Sequence, residues 1–215
     1  AQIGQHHGID SRRTIKSVNQ GYPRASIAIP GLVGGPCLEK DPLILLQNLP
    51  HAMTKGSLIL NARLAHVGVV DLEMRRLAER IESEGVVPGR VAGVLVAGLA
   101  FKGNPATDDI RGSLAKNVIV SARNHFPSAK VYGSDVLVSD SDARSLGCDA
   151  KVDMDEGVAA ADVVVVQHDG EKITADLIEA LESCVTAKTV LDFWGKIKLV
   201  NPRVQVITFG IGRSL

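Results

Sequence analysis

The chain has 215 residues, 24 basic and 24 acidic side chains, and no net formal charge. Balanced charge without a basic run or basic–aromatic interleaving argues against nucleic acid as a partner, and no apolar stretch is long and uncharged enough to cross a bilayer. Three widely spaced cysteines, Cys37, Cys148 and Cys184, give no disulfide framework and no zinc pattern, so a reducing, cytoplasmic setting without a structural metal is expected.

Aromatic residues make up only 3% of the chain, so the cores must be built from Val, Leu, Ile and Ala. Near the start, His6 and His7 are neighbours whose side chains diverge on a helix, and are expected in solvent. Asp10 is a candidate N-cap for a short helix over 12–19. A glycine-rich loop then leads to Cys37, and a helix is expected from Pro42 to Leu49. One long helical pattern runs from Ser57 to Ser83. Its first half, Leu58 to Leu72, is apolar on nearly every side apart from Asn61, Arg63, His66 and Asp71. A helix apolar all round must be covered all round, which points either to a second copy of the chain or to burial between two units of one chain.

Gly85 to Gly89, with Pro88, divides a helical region, 1–86, from a strand-rich region, 87–215. Strands are expected at Val91–Ala97, Lys130–Gly133, Val163–Gln167, Thr189–Phe193 and Val204–Thr208, with helical patterns between most of them. This alternation defines an α/β fold with a Rossmann-like, doubly wound parallel sheet. Asp135, after the second strand, reads as a turn residue, and His168-Asp169, after the next long strand, is the weakest candidate for a ligand contact. Trp194 at a strand end reads as half-buried packing in preference to a base-stacking platform.

Two stretches carry chemistry. In Gly34-Gly35-Pro36-Cys37-Leu38-Glu39-Lys40-Asp41 a thiol follows a glycine turn, with an ammonium and a carboxylate three and four residues on. A nearby cation or helix N-terminus favours the nucleophilic thiolate. Alone, the same residues better describe an ordinary turn with an inert thiol. The second stretch is Gly98-Leu99-Ala100-Phe101-Lys102, continuing to Asp108-Asp109-Ile110-Arg111. It follows a buried-strand pattern and precedes a helix for which Ser113 is a candidate N-cap. Lys102, Asp109 and Arg111 then sit at the carboxyl edge of the sheet, where open α/β folds bind ligands. No Gly-x-Gly-x-x-Gly occurs in the chain, so neither stretch is a dinucleotide cradle.

Together, in this order, the two stretches resemble the UDP-glucose/GDP-mannose dehydrogenase family, the nucleotide-sugar 6-dehydrogenases, over its central and C-terminal parts. Pro23-Arg24 and Pro30-Gly31 look like that family's approach to its cysteine. The resemblance implies a four-electron oxidation of a sugar CH2OH to a carboxylate with NAD as cofactor. By position, Cys37 would be the nucleophile and Asp41 the carboxylate assisting water or proton transfer. Cys37, Lys40 and Arg111 would touch the cofactor, and Arg24, Pro30, Gly31, Gly34, Phe101 and Lys102 the nucleotide-sugar. Pairing into a homodimer through the 57–83 helix is also implied. Pro36 and Glu39 lean toward the N-acetylhexosamine-type members, and a UDP-sugar is expected in preference to GDP-mannose.

The chain departs from the family in several places. The dinucleotide-binding domain, with a catalytic lysine and asparagine upstream of the cysteine, is missing, so the chain is expected to be the C-terminal portion of a longer enzyme and inactive alone. Gly112 stands where the family usually has Glu, and Phe193-Trp194-Gly195 follows Asp192 where an arginine segment is usual. Bland readings remain for Lys40 and Asp41 as helix-start charges and for Arg111 as a partner of Asp108 or Asp109. Two other classes stay open: a non-catalytic nucleotide-sugar-binding or dimerisation module, and an unrelated cysteine hydrolase using His51 or His66.

Overall fold

A computed structural model of the chain describes residues 1–24 and 26–212. Its helices begin where capping chemistry allows. After a single turn, α1 (Gln2–His6), helix α2 (Ser11–Asn19) is capped by Asp10, whose carboxylate accepts the Arg13 N–H at 2.9 Å. Helix α3 spans Pro36–Gln47, six residues earlier than the expected start at Pro42. The reason is local. Pro36 takes the first helical position, where a missing N–H costs nothing, and Gly35 enters it at φ +122°. Pro42 is left inside the helix.

After the single turn α4 (His51–Thr54), the long helix α5 (Leu58–Ser83) follows the expected bounds, with Ser57 Oγ accepting the Leu60 N–H at 3.2 Å. Its second half buries one face, Val69, Val70, Met74, Leu77, Ala78 and Ile81. The spacing by four is that of a single helical stripe. Its first half is exposed instead, Leu58 at 83% and Leu64 at 60%.

A short 3-10 turn, Pro88–Arg90, leads into a sheet of six parallel strands. These are β1 (Gly93–Ala97), β2 (Lys130–Ser134), β3 (Ala150–Lys151), β4 (Val163–Val166), β5 (Lys188–Asp192) and β6 (Val204–Thr208), in the order β3-β2-β1-β4-β5-β6. The connecting helices are α6 (Ala115–His125), α7 (Asp140–Leu146), α8 (Met154–Ala160) and α9 (Glu171–Ser183). The two-residue β3 was not anticipated, because two residues are too few to carry an alternation signal. On β1 the pleat sends Val94 and Val96 into one core with Met74, Leu77, Val118 and Phe126, and Leu95 and Ala97 into another with Val158, Leu177 and Leu181. That alternation is the period of two that a strand imposes, and both faces are covered, as parallel sheets require.

The N-terminal helices are stitched to the far end of this sheet. Arg12 donates to the carbonyls of Phe209 (2.8 Å), Trp194 (2.7 Å), Pro30 (2.7 Å) and Phe193 (2.5 Å), and burial lowers its pKa against the field of Asp192. Asp10 and Ile211 form an antiparallel bridge beside it. The planar fork of five donors is what one ammonium cannot reproduce. Arg12→Lys is expected to lower the unfolding free energy by about 2–4 kcal/mol, since several carbonyls lose their partner at once, read as a fall in the urea midpoint at unchanged slope.

Candidate functional site

The site lies at the carboxyl edge of the sheet, around the point between β1 and β4 where strand order reverses. Parallel strands diverge into helices on opposite faces there, which leaves a crevice. Beyond β1, Gly98 turns at φ +88°, and the loop to α6 closes on itself through the Phe101 N–H to the Asp109 carbonyl at 3.0 Å. Ser113 anchors its end: the hydroxyl donates to the Leu99 carbonyl at 2.7 Å and accepts the Ala115 N–H at 3.1 Å. It thus makes a capping bond, as expected, although Leu114 separates it from the first regular turn.

The N-terminus of α3 is seated on this loop, so the two chemistry-bearing stretches meet. The Gly35 N–H donates to the Gly112 carbonyl at 3.0 Å. A Cβ on Gly34 would stand 2.7 Å from that same oxygen, one on Gly35 3.0 Å from the Phe101 ring, and one on Gly112 2.7 Å from the Gly35 carbonyl. Gly112 also has φ +65°. The departure from the family's Glu at this position is therefore built into the seat. A side chain at 112 would lift α3 off the loop.

Cys37 is the second residue of α3 and exposed. Lys40 and Asp41 stand one turn further on and pair with each other. That pairing raises the Lys40 pKa, and the nearby Cys37 adds to the rise. Arg111, 75% exposed, forks onto Asp109 with contacts of 2.7 and 2.9 Å. The pair raises the Arg111 pKa, again with a contribution from Cys37, and holds the Asp109 carboxyl down at about 2. The bland pairing foreseen for Arg111 therefore exists, and Lys40 and Asp41, expected as separate helix-start charges, pair with each other in the second turn of α3. His66 donates to the Val33 carbonyl at 2.7 Å and so orients the loop before Cys37. His51 opens α4, beyond the far end of α3. A hydrolase pairing with Cys37 is made by neither.

Lys102 lies over the Phe101 ring, 5.2 Å from its centroid, and has no carboxylate partner among the described residues. Arg24 is drawn instead to Tyr22, bonding its hydroxyl at 2.8 Å and covering its ring. Gly31 packs against Trp194, where a Cβ would reach the indole at 2.5 Å, and the Pro30 carbonyl before it is held by Arg12. The indole N–H donates to the Gln167 carbonyl at 2.9 Å, so Trp194 is half-buried packing, as expected. Its flank also borders an open cavity of about 940 Å³ with the cations Arg13, Lys16, Lys196 and Lys198.

Asp135 is more than the turn residue expected. One carboxylate oxygen accepts the Leu137 N–H at 3.0 Å; the other accepts those of Leu99 (2.8 Å) and Ala100 (3.2 Å) and the His168 Nε2–H (3.3 Å). Burial alone would raise its pKa, but His168 and the backbone donors outweigh it and hold the carboxyl at about 2. His168 accepts the Gly170 N–H at Nδ1, 3.1 Å away, which fixes the neutral tautomer. Its ring is buried against Gly98, Gly103 and Gly170, where any Cβ would come within 2.9 Å. The ring is a brace beneath the crevice and also lines a cavity of about 160 Å³ that it shares with Lys102 and Gly103. The available signal was the coincidence of an Asp and a His at two strand ends with glycines after the neighbouring strands.

Fold and edge chemistry together define an α/β protein with a ligand crevice at its switch point. Residues 95–198 match the UDP-glucose/GDP-mannose dehydrogenase family, UDP binding domain. The full chain is similar to the UDP-N-acetyl-D-mannosamine dehydrogenase of Pyrococcus horikoshii, 29% identical over 215 residues and covering 47% of that protein. In structure it is similar to the UDP-D-ManNAc dehydrogenase from Pyrococcus horikoshii (TM-score 0.67, 23% identity, 99% of this chain and 47% of that one). A UDP-glucose dehydrogenase from Pyrobaculum islandicum is alike to the same degree (TM-score 0.67, 22% identity, 98% of this chain and 45% of that one). The C-terminal part of the chain, residues 95–198, is the part that matches this family's UDP binding domain. It spans about half the length of the relatives it matches. Among the described residues no helix is long and apolar enough to cross a membrane, and no three His, Cys, Asp or Glu side chains group as a metal site.

A carboxyl with a folded pKa of about 2 against 3.8 unfolded contributes stability that is full above the unfolded value and lost as pH falls through the folded one. Asp135→Asn is expected to cost about 2 kcal/mol near neutral pH. The gap to the parent chain should close between about pH 5 and pH 2 in urea unfolding followed by circular dichroism. A gap that stayed constant with pH would show that the carboxylate charge is not what holds the loops.

Proposed function

We propose that the chain is the C-terminal portion of an NAD-dependent nucleotide-sugar 6-dehydrogenase that oxidises the CH2OH group of a UDP-sugar to a carboxylate. The observation that carries this reading is the seating of α3 on the β1–α6 loop through Gly35 and Gly112, which brings a thiol, a lysine and two ion pairs to one edge. In this reading residues 1–86 form a helical central region and 87–215 the nucleotide-sugar-binding domain.

Cys37 is the nucleophile. Its sulfur adds to the carbon of the intermediate aldehyde, whose oxygen takes a proton; the adduct becomes a thioester when it is oxidised in turn. Water then attacks, the C–S bond breaks, the carboxylate leaves and the thiol is regenerated. Asp41, on the same helix face as Cys37, takes the proton of that water. Bound NAD supplies the hydride acceptor for both oxidations. Lys40 and Arg111, exposed cations beside Cys37, fit one edge of such an anionic cofactor. No glycine cradle for its pyrophosphate is present among the described residues, so turnover needs a dinucleotide-binding unit besides these elements.

Lys102 and Phe101 meet the nucleotide-sugar at the switch point, with Gly34, Pro30 and Gly31 shaping the wall and Arg24 at its rim. The cations around Trp194 supply the positive charge that the family's arginine gives elsewhere. Isothermal titration of the chain with UDP-glucose, UDP-N-acetylglucosamine, UDP-N-acetylmannosamine and GDP-mannose tests this. Saturable binding of a UDP-sugar is expected, weakened about tenfold or more in Lys102→Ala through loss of a charge-assisted contact. Binding of none, or binding indifferent to Lys102, would refute the assignment.

A second copy of the chain is the proposed cover for the exposed apolar residues of α3 and α5, among them Ile44, Leu45, Leu58, Ile59 and Leu64. Exposed apolar surface of this extent marks an association site. Sedimentation should show a dimer that Leu58→Asp with Leu64→Asp converts to monomer without loss of helix; a parent chain that sediments as a monomer would count against it.

A further inference from the structure

At the amino edge of the sheet, opposite the crevice, lies a cavity of about 360 Å³ between the end of α5 and the starts of β1, β4 and β5. Ile81, Val86, Val91 and Val163 give it an apolar wall. At its base is Lys188, only 5% exposed. The ammonium donates to the Ala161 carbonyl and, at 3.4 Å, to the Ala159 carbonyl, and so caps α8. Carbonyls do not neutralise a charge, and no described carboxylate lies within 4.0 Å of it. One of its three donors is unused.

The two carboxylates in the wall are engaged elsewhere. Glu84 accepts from Arg80 at 2.8 Å and Gln205 at 3.1 Å, and Asp162 accepts the Ala92 N–H at 2.7 Å. Arg90 and Arg203, exposed at the mouth, make no side-chain hydrogen bond or ion pair among the described residues. Three cations thus share one cavity with a single carboxylate, Asp162, that has no cationic partner, which leaves a local excess of positive charge. A buried charge is retained at low cost only when it is paired.

We propose that this cavity binds a small phosphate-class oxyanion, with Lys188 at its base and Arg90 and Arg203 closing on it from the mouth. Guanidinium forks match phosphate oxygens in pairs, and the spare ammonium donor takes a third. The apolar wall leaves room for an organic body, so free phosphate and a phosphomonoester share the same recognition. The site stands apart from Cys37 and from the crevice, and does not depend on the dehydrogenase reading.

Isothermal titration of the chain with inorganic phosphate and with phenyl phosphate, at ionic strength fixed by sodium chloride, tests it. Saturable binding is expected, tighter for phenyl phosphate if the apolar wall is used and equal if only the anion is read. Arg90→Ala with Arg203→Ala should weaken it about tenfold or more, and Lys188→Met should abolish it. Should Lys188→Met not fold, the two exposed arginines carry the test alone. The proposal is overturned if neither anion binds the folded chain or if binding survives in the double arginine variant. It is likewise overturned if binding is lost in Lys196→Ala with Lys198→Ala instead.

Discussion

The carboxyl edge of this molecule depends on one buried carboxylate. Asp135 accepts backbone N–H groups from the loops after β1 and β2 and the imidazole of the loop after β4. Each of those loops leaves its strand with unsatisfied donors, and a sheet edge without such a clasp would present them to water or distort. The β1–α6 loop is held from below by this clasp and pressed from above by α3. The seat of Cys37 therefore rests on a residue at the ends of the strands beneath it. Burial works against the charge, and four donors keep it.

Much of this was legible in the residues. The parallel sheet, the long α5 and the N-cap at Asp10 follow from apolar runs, a helical stripe and capping chemistry, all of which are local. The pairing of the two motifs was visible only as a resemblance, because the contact of Gly35 with Gly112 joins loops far apart in sequence. The start of α3 was misjudged since two prolines, Pro36 and Pro42, offer the same signal, and only the positive φ of Gly35 chooses between them. Asp135 and His168 were undervalued for a similar reason: the same two letters describe an exposed turn and a buried brace, and burial is a property of the whole sheet.

The two ends of the parallel strands bear different electrostatics. At the carboxyl edge each cation but Lys102 is matched beside Cys37, Lys40 by Asp41 and Arg111 by Asp109. Exchange of one partner for a ligand there is a substitution of one pairing by another, which tunes affinity without leaving a bare charge. At the amino edge Lys188 is inside the protein with carbonyls for company. The net charge of the chain is zero, and its bulk balance conceals this local surplus.

Arg12 serves a carbonyl, that of Phe209, 197 residues further along the chain. Contacts of such separation must close a large loop before they return any stabilisation. Helix α2 therefore has no fixed place until β5 and β6 have paired, and its guanidinium waits in solvent while the sheet is assembled. Strand β6 and the segment after it thus dock α2, so the ordering of the loop leading to Cys37 is a late event in folding, coupled to completion of the sheet at its opposite edge.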